Sequence, residues 1–224
     1  MLPLILFAIP PDGLGPWMAM IGFGAYHGLN PGMGWLFALS LGLQQKNERA
    51  IWVSLFPIAA GHAASVALVA IIIFTGMSLI PTDVLKVLTA VILLAFGVYK
   101  VLNYYRHPRW VGMKVGVRDL FIWSFLMATA HGAGLMVAPA LIAVASTDEL
   151  HHVSSGFHMP DGAGLFLAIS AHTAVMLVMM GFVAWIVYRK LGLAVLRQNW
   201  INFDLIWAAA LLIVGGIALF TAIA

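Results

Sequence analysis

Four of the eight histidines in this sequence stand alone inside apolar runs: His27, His62, His131 and His172. Imidazole is the commonest protein ligand for transition metals, and it is also a proton carrier near neutral pH. His27 lies in Gly24-Ala25-Tyr26-His27-Gly28-Leu29-Asn30-Pro31-Gly32-Met33, and a half-copy, Ala128-Thr129-Ala130-His131-Gly132-Ala133-Gly134-Leu135-Met136, returns roughly a hundred residues later. Each copy is followed by a second histidine, in Ala59-Ala60-Gly61-His62-Ala63-Ala64 and in Ile169-Ser170-Ala171-His172-Thr173-Ala174. There is no cysteine, so any metal must be held by His, Asp, Glu, Asn, Met or backbone oxygen. The four histidines are the candidate ligands, with Met33 and Met136 as thioether candidates. Imidazoles from different helices could also ligate haem iron, although nothing in the spacing selects haem.

The elements that carry these residues are membrane helices. Of the 224 residues 63% are hydrophobic and 8% charged, and the apolar runs exceed the roughly 18 residues that mark a spanning helix. Hydropathy places six spans near 17–43, 51–79, 84–104, 120–145, 165–188 and 203–222, giving an all-α integral membrane protein. Residues 1–9 are apolar but lack a basic n-region and a cleavage site, so they are expected to form a short interfacial segment. The formal charge of +3 comes from basic residues in short loops: Lys46 and Arg49; Lys100, Arg106, Arg109, Lys114 and Arg118; Arg189, Lys190 and Arg197. That pattern is a topology signal, not a nucleic-acid surface, and it puts both termini outside the cytoplasm, in a membrane of the bacterial inner type.

Aligning His27 with His131 and His62 with His172 lays spans one to three over spans four to six. An odd number of spans per unit inverts the second, so the expected architecture is a 3+3 inverted repeat of residues 1–106 and 107–224 in a single membrane domain. Helix rise puts each histidine about 15–20 Å into a ~30 Å core, where an ionisable group marks function when it is paired in the bundle interior. Gly24, Gly28 and Gly32 form a stripe that admits a second backbone beside His27. Pro31 breaks the first span and frees a carbonyl near Leu29 or His27. Gly28, Asn30, Pro31, Gly32 and Gly132 are therefore expected to line the site.

Ala25-Tyr26-His27-Gly28-Leu29-Asn30-Pro31-Gly32, followed by Ala60-Gly61-His62-Ala63-Ala64-Ser65-Val66, resembles the nickel/cobalt exporter (NicO) family of six-helix transporters. The family's first-helix motif reads His-Gly-Leu-Glu-Pro-Gly-His, and Ala171-His172-Thr173-Ala174-Val175 echoes its later Ser-His-Thr-Ala-Val. The resemblance implies a divalent-metal path lined by these helices. Here the family's acidic position is Asn30 and its second histidine is Met33, a change toward a less anionic, softer ligand set that brings copper within range beside nickel, cobalt and zinc.

Thr147 to Gly162 reads as an external loop whose Asp148, Glu149, His151, His152, His158 and Asp161 could collect cations at the mouth of the site. No Ser/His/Asp set, catalytic carboxylate pair or phosphate loop can be assembled, which disfavours a hydrolytic enzyme and leaves a metal-centred one open. The expected function is binding and movement of a transition-metal ion through a midplane histidine site. The alternatives are a metal or haem redox centre, and an accessory subunit of a larger membrane complex.

Overall fold

Helices in lipid associate by shape and hydrogen bonding, because the tails are as apolar as the side chains, so small residues decide where backbones meet. The computed structural model describes residues 14–103, 116–155, 163–191 and 203–223, and every regular element among them is helical. In chain order these are α1 (Leu14–Leu29), α2 (Trp35–Gln45), α3 (Glu48–Leu79), α4 (Thr82–Leu102), α5 (Val117–His131), α6 (Ala133–Ser155), α7 (Ala163–Ile186, extended by a π turn Val187–Leu191) and α8 (Phe203–Ile223). Among the described residues four helices are long and apolar enough to cross a membrane, α3, α4, α7 and α8, and the bent pair α5–α6, taken as one span, brings the number to five.

Two expected spans are not single helices. The first is cut at Asn30 into α1 and α2, joined by a 3-10 turn, Pro31–Met33. The fourth is cut at Gly132, and its halves meet at 72°. Each break follows a His-Gly dipeptide by at most a few residues, and each has a local cause. Pro31 lacks the amide that would continue α1, and Asn30 caps the new turn by accepting from the Gly32 amide at 2.9 Å. Gly132 takes a left-handed conformation, φ 72°, that ends α5. The supposed loop from Thr147 is also shorter than expected, because α6 continues to Ser155.

Packing is organised by close backbone approaches. A Cβ on Gly24 would lie 2.5 Å from the carbonyl oxygen of His172, and one on Gly28 2.6 Å from that of Met176, so α1 can seat on α7 only with glycine at both positions. Gly61 does the same for α3 against the Phe121 carbonyl of α5. Gly97 and Gly215 let α4 and α8 run antiparallel at close range, against Leu212 and against Leu93 and Leu94 respectively. The core between these pairs holds Leu39, Leu55, Ile58, Leu141, Met176, Met180 and Trp207, all buried. Phe56, Ile71, Ile72, Phe166, Val178, Phe182 and Phe220 face outward, as lipid-facing side chains do.

Candidate metal centre

α1, α3 and α7 each bring one histidine to a common point. His27, His62 and His172 are fully buried, and one nitrogen from each lies within 4.8 Å of the others, a group able to hold a metal ion. Their positions follow from the helix contacts above. Gly24 and Gly28 draw α1 onto α7 so that His27, between them in sequence, meets His172, and the packing of α3 on α7 brings His62 to the same ring pair. The ring centroids are 4.9 Å apart for His27 and His172, 5.2 Å for His27 and His62, and 5.6 Å for His62 and His172.

The hydrogen bonds among the three can be worked out atom by atom. Nδ1 of His172 lies 3.0 Å from the carbonyl oxygen of Met20, which can only accept, so Nδ1 carries the proton and donates. The neutral ring then has a bare lone pair on Nε2. Two nitrogens converge on that atom: Nδ1 of His27 at 3.0 Å and Nε2 of His62 at 3.4 Å. To bond there, each must donate, so two N–H groups compete for one lone pair. The remaining nitrogens, Nε2 of His27 and Nδ1 of His62, are buried without a hydrogen-bond partner. An arrangement that crowds donors at its centre and strands acceptors at its rim is costly for neutral imidazoles in a dry interior.

A cation at the centre ends the competition of two donors for one lone pair. With the protons of His27 and His62 moved to their outer nitrogens, three lone pairs point inward. Metal–imidazole bonds of about 2.0–2.1 Å in a trigonal or tetrahedral set hold the ligand nitrogens about 3.3–3.6 Å apart. The two separations from Nε2 of His172, 3.0 and 3.4 Å, are within a small adjustment of that value, and one nitrogen from each of the three rings lies within 4.8 Å of the others. The bond from His172 to Met20 is the kind of outer contact that fixes the tautomer and aim of a metal-binding histidine. The residues present fit a metal ion.

His131 does not join the group. Its Nδ1 donates to the Met127 carbonyl at 2.8 Å, and its own carbonyl accepts a hydrogen bond from Nε1 of Trp207. The Trp207 ring lies against both histidines of the repeated motif, 5.0 Å from His27 and edge-on 5.8 Å from His131. Tyr26 stacks on the same indole at 5.4 Å, and its hydroxyl donates to the Ile206 carbonyl at 3.4 Å. Met33 and Met136 are buried in the hydrophobic core.

The residues expected to line the site have structural occupations. Asn30 serves as the cap already described, Gly28 admits Met176, Gly32 passes beside Asn30 and His131, and Gly132 makes the α5–α6 bend against Phe96. The carbonyls freed by Pro31 are not open to an ion. That of His27 accepts from the Asn30 amide at 3.2 Å and that of Leu29 from Nε1 of Trp35 at 3.1 Å. Asp148, Glu149, His151 and His152 are on the last turns of α6 with side chains outside the described residues, as are His158 and Asp161 altogether.

Trp207, Tyr26 and the Met20 carbonyl are the members of this neighbourhood that the sequence did not announce. Trp207 had a signal only in its indole N–H, which must find an acceptor when it is buried. Comparisons of the chain with protein-family models, with curated proteins and with solved structures gave no match.

Proposed function

We propose that this protein binds a transition-metal ion in the His27–His62–His172 triad and carries it across the membrane. The carrying observation is the triad's hydrogen-bond conflict: two donors share the single lone pair of His172 while the outer nitrogens of His27 and His62 have no partner. A bound cation relieves the crowded centre, where three lone pairs replace two competing donors, and the three imidazoles supply Lewis-base ligands without any protein charge.

Movement of the ion is supported by the architecture in which the triad sits. We read the chain as six spans in a 3+3 inverted repeat, with α1–α2 and α5–α6 as the broken first members. Exchanging the two units maps the packing of α1 on α7 onto that of α5 on α3, and leaves the pairs α4 with α8 and α3 with α7 in place. Interrupted helices next to a site at the interface of two repeats are a transporter arrangement, and the motifs around His27, His62 and His172 resemble the nickel/cobalt exporters.

Orientation with the basic loops in the cytoplasm is supported by side-chain contacts. Arg189 at the end of α7 donates to Glu48 at the start of α3 at 3.0 Å, and Arg49 shares a surface pocket with Gly116 and Leu120 at the start of α5. The described helix ends that flank the three basic loops therefore adjoin one another, which supports the positive-inside reading.

The test is metal content and flux together. Gently purified protein is expected to retain metal by elemental analysis, and vesicles containing it to show ion uptake or release. His172→Ala should abolish both. A metal-free wild type that stays metal-free after incubation with copper, zinc, nickel and cobalt ions would overturn the site. Stoichiometric binding without flux would leave a fixed membrane metal centre in place of a transporter.

A further inference from the structure

The chemistry of the triad discriminates among ions, and we infer that the ion it takes is monovalent copper. This rests on the metal-site reading above and deepens it. Three observations on charge, coordination and hydration carry the inference.

The first is charge. All three ligands are neutral imidazoles, and among the described side chains the carboxylates are Glu48, Asp83 and Asp119, each in the first turn of its helix and none at the triad. The desolvation cost of an ion grows with the square of its charge, so a divalent ion here costs about four times as much as a monovalent one before any ligand is counted. Divalent sites in proteins usually offset that with a carboxylate or thiolate, and neither is supplied here.

The second is coordination number. The described residues offer three inward lone pairs, from Nδ1 of His27, Nε2 of His62 and Nε2 of His172, at separations of 3.0 and 3.4 Å where hydrogen bonds record them. A d¹⁰ monovalent copper ion is content with two or three nitrogen ligands. Zinc takes four, and nickel square-planar or octahedral sets.

The third is dryness. His27, His62 and His172 are 0% exposed, so the waters with which a divalent ion would complete its shell have no place at the triad. Loading it needs no net proton release, since the hydrogens of His27 and His62 move to the outer nitrogens that now lack partners.

The experiment is anaerobic titration of the purified, detergent-solubilised protein against the coloured bicinchoninate complex of monovalent copper, with parallel competition by zinc, nickel and cobalt salts. Wild type is expected to remove one equivalent of copper from the chelator, and divalent ions to bind roughly 100-fold or more weakly. X-ray absorption should show a low-coordinate, all-nitrogen shell. His172→Ala and His62→Ala should lose the uptake, and His131→Ala, with circular dichroism confirming the fold, should keep it. Asp204 lies in the first turn of α8, three residues before Trp207, so Asp204→Asn is the control for an anionic ligand and should also keep it. Tight zinc, nickel or cobalt binding with weak copper binding overturns this inference and leaves the metal site standing. Loss of copper in Asp204→Asn overturns the neutral-site argument. Failure to bind any of the four ions overturns the metal site itself.

Discussion

His27-Gly28 and His131-Gly132 are the same dipeptide at the broken ends of two helices, and only the first histidine reaches the triad. The difference is made by what stands beside each. α1 carries glycines at positions 24 and 28, so it closes on α7 and presses His27 against His172. Where α5 packs on α3, the close approach is made by Gly61 of α3 instead, while α5 has Ala128 three residues before His131. The His131 side chain then turns back to the Met127 carbonyl of its own helix, and α8 inserts Trp207 between the two histidines. A repeated motif supplies the ligand type, and the neighbouring backbone decides whether it becomes a ligand.

The largest expected effect is a direct contrast between the two copies. His27→Ala should abolish metal retention, and His131→Ala should leave it near the wild-type level, read as metal per chain after desalting. Equal losses in both would restore the four-histidine site and erase the contrast.

A smaller effect should come from forcing α1 to resemble α5. Gly24→Val puts side-chain atoms where the His172 carbonyl lies, an overpacking that typically costs about 1–3 kcal/mol. Thermal unfolding in detergent should shift downward, and metal affinity should fall even though every ligand is intact. Unchanged affinity would show that the triad does not depend on the α1–α7 approach.

The smallest concerns the wedge. Trp207→Phe keeps an aromatic ring beside both histidines but removes the N–H that donates to the His131 carbonyl, a lost hydrogen bond typically worth about 0.5–1.5 kcal/mol. Stability should fall with little change in metal retention. A loss of metal equal to that of His27→Ala would make Trp207 part of the site's positioning and not only of its packing.

Much of the organisation was legible in the chain because it rests on composition and local chemistry. Apolar length alone marked α3, α4, α7 and α8 as membrane helices, since 18 or more apolar residues have few other fates. Pro31 announced the break after α1 because its missing amide falls beside Asn30, a residue able to cap a new turn, whereas Pro57 and Pro139 lie inside α3 and α6 without ending them. Three of the four histidines singled out by their apolar setting form the group that can hold a metal. The break at Gly132 was not read from the sequence, because a glycine bends a helix only when something accepts the bend; here the bend sets Gly132 against Phe96 of α4.

By itself, then, the sequence determined an all-helical chain with membrane-length apolar segments, and a short roster of polar groups that must be paired inside it. Which of them pair was decided by tertiary structure. Asn30 could have been a ligand or a cap, and the Gly32 amide 2.9 Å from its side-chain oxygen made it a cap. His131 and His172 had equal standing until α1 brought the Met20 carbonyl to Nδ1 of His172 and left its Nε2 facing two other rings. Hydrophobic pattern fixes which residues leave water, but the direction of a lone pair depends on atoms contributed by distant helices, and the triad exists only where those helices meet.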